Sequence, residues 1–228
     1  MARPTRERNT PMMTSAMLGA GRRARGGTRR RLARGLLLCA VLGLGACSLD
    51  VADPAVIRDE TLDDPGLFPM LMRGVRGSFT YAVNGPVGGR GIFIASALLS
   101  DELVHSALEP GVRAISDGVP RDDLPEIADL WAEGSRARWT AEDMVRRLDR
   151  MIARAGEDDS AEVATWQDYL AESLIWAGYS NRVLGENFCD AVIDAGPLQP
   201  SSAFFERARE QFTRAREIAA ARSNTTLE

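Results

Sequence analysis

Lysine is absent from the 228 residues, histidine occurs once as His105, and there are only three cysteines, at positions 39, 47 and 189. Each shortage narrows the chemistry. With no lysine, every basic side chain is an arginine, so arginine pile-ups are expected and carry little meaning by themselves. One histidine and no cysteine pair give a zinc site little to build on. A Ser–His–Asp triad would have to use His105 as its base, and no G-x-S-x-G elbow accompanies it. A long apolar run is missing too: the stretch from Gly35 to Ala46 is only 12 residues. A membrane-crossing helix needs about 20.

What the sequence does have is a strong polarity at its start. Ten arginines precede the apolar run, and the chain turns acidic directly after it. A basic segment followed by a short apolar one is the layout of a secretory signal that is removed. The run ends Leu44-Gly45-Ala46-Cys47, which resembles the bacterial lipobox, where small residues precede a cysteine that receives diacylglycerol. Residues 1–46 are therefore read as a lipoprotein signal peptide, with cleavage before Cys47 and lipid attached to it. Cys39 is a small apolar residue of the discarded core. Ser48, rather than an aspartate, follows the cysteine, which favours the outer membrane. Thr28-Arg29-Arg30-Arg31-Leu32 resembles a twin-arginine export signal, and Met12, Met13 or Met17 are alternative starts.

Taking away residues 1–46 removes 10 of the 28 basic residues and one of the 32 acidic ones, leaving 18 against 31 and a net charge near −13. A domain this acidic is repelled by phosphate backbones, which excludes nucleic acid as the expected partner. Its 182 residues suffice for one core. Cys189 is then the lone thiol of the folded part, so no internal disulfide can form, and its neighbours suggest a packed small hydrophobe.

From Ser48 to about Pro65 prolines and acids without periodicity predict an extended leader, covering 47–65 with the lipid-bearing cysteine. Leu67, Leu71, Val75, Phe79 and Val83 then recur at helical spacing and stop at Asn84-Gly85-Pro86. The dense apolar segment IFIASALLSDELVHSAL, residues 92–108, predicts a mostly buried helix, and 109–121, with two prolines and two glycines, a loop. A long helix follows from Leu124 to Ile152, with a bend anticipated near Gly134 and an end at Gly156. Asp159-Ser160-Ala161-Glu162 resembles a capping box with Asp159 as the cap, opening a helix through Val163, Trp166, Leu170, Leu174 and Leu184. After a loop at 189–200, Ser201 or Ser202 caps a last helix through Phe204, Ala208, Phe212 and Ala215. The fold class is all-α, about six helices, with the pair near 160–186 and 201–222 packed antiparallel. Ala208-x-x-x-Phe212-x-x-Ala215, with Gly178 as its small partner, matches the helical hairpin of a tetratricopeptide unit, apart from the long connection between the two helices. The last helix is expected to expose an apolar stripe including some of Phe205, Phe212 and Ile218.

The order of these features resembles the SusD/RagB family of outer-membrane nutrient-binding lipoproteins. Four segments carry the resemblance: the lipobox Cys47; the acidic leader with LFPMLMRGVRGSF; Ser100-Asp101-Glu102, similar to the family's acidic pair; and AGYSNRVLGENFCDAVIDAGPLQPSSAFFERAREQFTRA. Members of the family are considerably longer, so the resemblance implies a short or incomplete member with a SusD-like N-terminal portion over 66–228. It also implies a function: binding a glycan or similar nutrient without chemistry and delivering it to a TonB-dependent, SusC-like transporter. A tetratricopeptide-like scaffold lipoprotein of envelope assembly is the alternative.

No residue is assigned to catalysis, to a cofactor or to a metal, and the ligand-binding residues are left unassigned; the one site residue is Cys47, for lipid. Asp101 and Glu102 are adjacent, so on a helix their side chains diverge by about 100° and cannot face each other as an acid–base pair. His105 could donate to Asp101. Trp131, Trp166 and Trp176 fit core positions, whereas Trp139, between Arg138 and Thr140, is the least core-like of the four tryptophans. Glu157, Asp158 and Asp159 lack the alternating spacing of a calcium loop and read as a solvated turn, and the Asn224-Thr225-Thr226 sequon is taken as coincidence.

Overall fold

The structure is a computed structural model that describes residues 57–223 except 87–89, 107, 122 and 157–159. Cys47, the segment 1–46, the first part of the leader, the acidic triplet 157–159 and the sequon at 224–226 lie outside the described residues. Six α-helices and one two-stranded ribbon make up the described part: α1 Phe68–Asn84, α2 Ile92–Leu99, α3 Pro110–Ser116, α4 Pro125–Ala155, α5 Ala161–Asn187, β1 Asp190–Val192, β2 Leu198–Pro200 and α6 Ser201–Ala221. The all-α expectation holds. None of these helices is long and apolar enough to cross a membrane.

Helix ends follow local chemistry. Pro69 and Pro125 occupy first-turn positions, where the missing N–H is not needed. The Ser160 hydroxyl accepts from the Val163 backbone N–H at 3.3 Å, so Ser160 rather than Asp159 is the cap of α5. The 31-residue α4 runs through Gly134 without interruption and ends at Gly156, whose φ of 66° is the left-handed conformation that favours glycine.

One core is shared by the four long helices. Phe68, Met72 and Val75 of α1 meet Ala141, Met144 and Leu148 of α4, with Leu170, Leu174 and Ala177 of α5 and Ala215 of α6 closing it. Burying such side chains contributes roughly 1.5–3 kcal/mol each against leaving them in water. Helices α1 and α5 run parallel: Phe68 meets Trp166 at a ring-centroid distance of 6.3 Å, Phe79 meets Trp176 at 5.3 Å, and between them the Arg76 guanidinium donates to the Glu172 carboxylate at 2.5 and 2.7 Å.

Helices α5 and α6 run antiparallel, as the order of their contacts shows. Arg222 donates to Asp168 at 3.0 Å, Phe212 lies over Gly178, and Phe204 lies by Gly185. The seam needs small residues: a Cβ at Gly178 would fall 2.7–2.9 Å from the Phe212 ring, and one at Gly185 would fall 3.1 Å from the Cβ of Phe204. The Phe212 ring is further held edge-on by Tyr179 at 5.2 Å. Of the expected apolar stripe, Phe205 is 42% exposed, whereas Phe212 and Ile218 are partly covered.

Four regions differ from the sequence reading. The apolar density of 92–108 does not continue as one helix: α2 stops at Leu99, and Asp101 takes a positive φ of 60° that turns the chain. Val104 and Leu108, expected to be buried, are 83% and 92% exposed. The proline–glycine loop contains α3, which Pro110 can start because its fixed φ suits a first turn. The connection 189–200 is a β-hairpin, pairing Ala191 with Gln199. At its tip Asp194 and Ala195 both have positive φ, 53° and 56°, and the Gly196 N–H donates to the Ile193 carbonyl at 2.9 Å, the arrangement of a mirror-image hairpin turn. Finally, Asp59–Asp63, placed in the extended leader, forms a 3-10 turn fixed to α4. There the buried Arg147 donates to Asp59, to Asp63 at 2.9 Å and to Asp143 at 2.7 Å. Burial works against the Arg147 charge, but these three carboxylates outweigh it and raise its pKa.

Candidate functional site

Two polar assemblies stand out, one running from the buried helix core to the half-exposed hairpin tip and one lining an open cavity. The first assembly joins α4, α5, α6 and the hairpin tip. Glu142, on α4, accepts from Arg138 one turn earlier at 2.6 Å, and its other oxygen accepts from Asn181 and from Gln211, each at 3.0 Å. Asn181, wholly buried, also donates to the Ala177 carbonyl at 3.1 Å and to the Gln211 side-chain oxygen at 2.9 Å. Arg138 reaches the hairpin, donating to Asp194 at 2.6 Å, and Arg207 of α6 adds a bond to the same carboxylate at 3.1 Å. The Arg138 bond, foremost, and then Arg207 hold the Asp194 carboxyl below its ordinary range against the opposing effect of burial. The chemistry is structural. The paired charges and the carboxamide N–H groups serve each other, the Asn181 Oδ1 alone being buried without a hydrogen bond, and the outcome is a hairpin turn with two strained non-glycine residues locked onto the helices.

The open assembly is a cavity of about 220 Å³ between the end of α1, helices α2 and α3, and the first three turns of α4. Its floor is aliphatic: Ile94 and Leu98 from α2, Val112 and Ile115 from α3, and Leu130 from α4. One wall is the α4 face formed by Glu126, Asp129, Leu130 and Glu133, which share a face because they are three and four residues apart. Tyr81 and Arg90 also line the cavity. Gly85 and Gly91 bring two backbone segments together at the rim: a Cβ on Gly85, which has a φ of 75°, would lie 2.3 Å from the Gly91 nitrogen.

Within this cavity the acids are unevenly served. Glu133 lies 3.5 Å from Arg136. Glu126 packs against α3 so closely that a Cβ on Gly111 would be 2.0 Å from its Oε2, and that enclosed oxygen makes no hydrogen bond. A buried acceptor without a donor is costly, on the order of 1–3 kcal/mol, and native proteins keep few of them.

The residues singled out from the sequence fall elsewhere. Asp101 and Glu102 are exposed beyond the end of α2. His105 does not turn back to Asp101: its Nε2 lies 3.7 Å from the Glu109 carboxylate, its backbone N–H donates to the Ser116 hydroxyl at 3.1 Å, and its Nδ1 is buried without a hydrogen bond. Cys189 is exposed, contrary to its expected packing, because Phe188 takes the buried place at the end of α5, against Trp131 at 5.1 Å. Trp131, Trp166 and Trp176 pack among aromatic neighbours, and Trp139 is 53% exposed, as read. Glu126, Asp129 and Glu133 were not singled out from the sequence. Their three- and four-residue spacing on a helix face was a readable signal, but nothing in the sequence says that α2 and α3 fold against that face.

Among the described residues no group of three or more histidine, cysteine, aspartate or glutamate side chains is placed to hold a metal ion. No family model, curated protein or solved structure matches the chain.

Proposed function

We propose that the protein is a lipid-anchored binding protein of the outer membrane, held by Cys47, that captures a nutrient and passes it to a TonB-dependent, SusC-like transporter. The observation that carries this reading is the lipobox at Leu44–Cys47 followed by the ordered SusD/RagB-like segments. Anchoring by acyl chains is physically sufficient, since each buried methylene contributes about 0.8 kcal/mol and several chains together hold stably.

The helix packing supports the finer part of the proposal. In a tetratricopeptide-like hairpin, small residues on one helix admit an aromatic from the other, which is the relation of Gly178 to Phe212, and the small Ala208 and Ala215 of α6 are buried. The long connection that a simple repeat lacks is a folded hairpin pinned by Arg138 and Arg207. It belongs to the segment that most resembles the family.

Copurification tests the proposal. A tagged full-length chain drawn from detergent-solubilised membranes of its own host is expected to bring down a TonB-dependent transporter. Its repeated recovery with envelope-assembly proteins and no transporter would favour the scaffold reading instead.

A further inference from the structure

The cavity beside α4 has a chemistry that goes past any general nutrient site. We propose that it binds a small organic ammonium ion with an apolar body, of about the size of an arylalkylamine. The inference rests on reading the protein as a ligand-binding lipoprotein but uses nothing of the transporter.

Size comes first. A volume of about 220 Å³ lies below the usual range for drug-sized ligands, roughly 300–1,000 Å³. That suits one ring with a short chain better than an oligosaccharide.

Polarity divides the cavity into two ends. Ile94, Leu98, Val112 and Ile115 offer hydrocarbon with no donor or acceptor, so the ligand's body must be apolar. The α4 side brings three carboxylates, Glu126, Asp129 and Glu133, to a lining that holds one cation, Arg90, and Glu133 is also paired with Arg136. An anionic ligand would bring a fourth negative group to this wall. A neutral sugar would leave hydroxyls against the aliphatic floor, and the one aromatic ring in the lining is that of Tyr81. An ammonium group resolves both difficulties, because it offsets the acidic wall and has N–H groups to give.

Glu126, one of the lining residues, is short of donors: its Oε2 is sealed against Gly111 without a hydrogen bond, so a ligand would meet this carboxylate through its other oxygen. A charged N–H donor at this end satisfies a carboxylate far better than a neutral hydroxyl, since charge-assisted hydrogen bonds are about twice as strong as neutral ones.

The test is calorimetric titration of the full-length chain in non-ionic detergent with three probes of one shape: 2-phenylethylammonium, 2-phenylethanol and 3-phenylpropanoate. The expected result is saturable binding of the ammonium, at least tenfold weaker binding of the alcohol and none of the carboxylate. Glu126→Gln with Glu133→Gln should weaken ammonium binding about tenfold or more, whereas Trp139→Ala, outside the cavity lining, should leave it unchanged. If the double variant loses its helical circular dichroism, Asp129→Asn alone serves, with a severalfold loss expected. Equal affinity for ammonium and alcohol, tighter binding of the carboxylate or of glucose, no saturable heat from any probe, or ammonium binding untouched by the carboxamide variants would each overturn the proposal. Failure to copurify a transporter with ammonium binding intact would remove only the transporter reading, and the converse result would remove only the cavity's ligand.

Discussion

The seam between α5 and α6 and the region around α2 and α3 are built on opposite terms. At the seam, Gly178 and Gly185 make holes that Phe212 and Phe204 fill, and Ala208, Ala215 and Ala219 are almost fully buried. Ion pairs tie its ends to other elements, Arg222 with Asp168 at one end and Arg207 with Asp194 at the other. Around α2 and α3 the helices have eight and seven residues, the cluster they share is Leu98, Val112 and Ile115 with Ile92 reaching Val83 and Leu130, Phe93 and Leu99 are half exposed, and Val104 and Leu108 stand in solvent. Helices this short are not stable by themselves and depend wholly on what they pack against. The contrast teaches a division of labour: two long helices on α4 form a stiff frame, and two short ones lean on that frame and leave a cavity.

The largest effect should come from emptying the seam. Phe204 is wholly buried, so Phe204→Ala should destabilise the domain by about 3–5 kcal/mol in a urea melt. A loss below 1 kcal/mol would mean that the seam is no stiffer than the α2–α3 end. Overfilling comes next: Gly178→Leu puts a side chain where even a Cβ meets the Phe212 ring, and a loss of about 1–3 kcal/mol is expected despite the better helix propensity of leucine. Unchanged melting of this variant would show that the ring moves aside freely.

A smaller effect concerns the hairpin, and it depends on pH. The folded pKa of Asp194 is depressed, so its contribution is present above the unfolded value of about 4 and is lost as pH falls through the folded value. The carboxylate is half exposed, and screening limits the contribution to about 0.5–1 kcal/mol. Asp194→Asn keeps a residue that tolerates positive φ. It should therefore be less stable than wild type at pH 7, and the difference should shrink toward pH 3; a difference that is constant from pH 7 to pH 3 would speak against the pairing. At the bottom of the scale, Val104→Ser and Leu108→Ser should change stability by less than about 0.5 kcal/mol, since both side chains are exposed. A large loss from either would place that segment in a core.

The same contrast explains what could be read in advance. The long elements were legible because their periodicity runs for many turns and ends in glycine or proline: the helix expected through Val83 is Phe68–Asn84, and the pair expected near 160–186 and 201–222 is Ala161–Asn187 and Ser201–Ala221. The Gly178–Phe212 fit was legible from residue size alone. The α2–α3 end was not, since hydrophobic density continues to Leu108 while the turn at Asp101 is a backbone event with no glycine to announce it. The hairpin escaped as well, because Asp194-Ala195 is an unusual pair for a mirror-image turn and is held there foremost by Arg138, 56 residues away in sequence, with Arg207 adding a bond. The cavity depends on residues from four elements, and only the α4 stripe of Glu126, Asp129 and Glu133 could have been suspected from spacing.

Both regions matter to the proposed function only if the chain is fixed to a membrane by its cysteine. Labelling with radioactive palmitate in the producing cell tests this most directly. Wild type and Cys39→Ser are expected to incorporate label, and Cys47→Ser none, accumulating as precursor or as released protein. Label persisting in Cys47→Ser would contradict the anchor and with it the outer-membrane account.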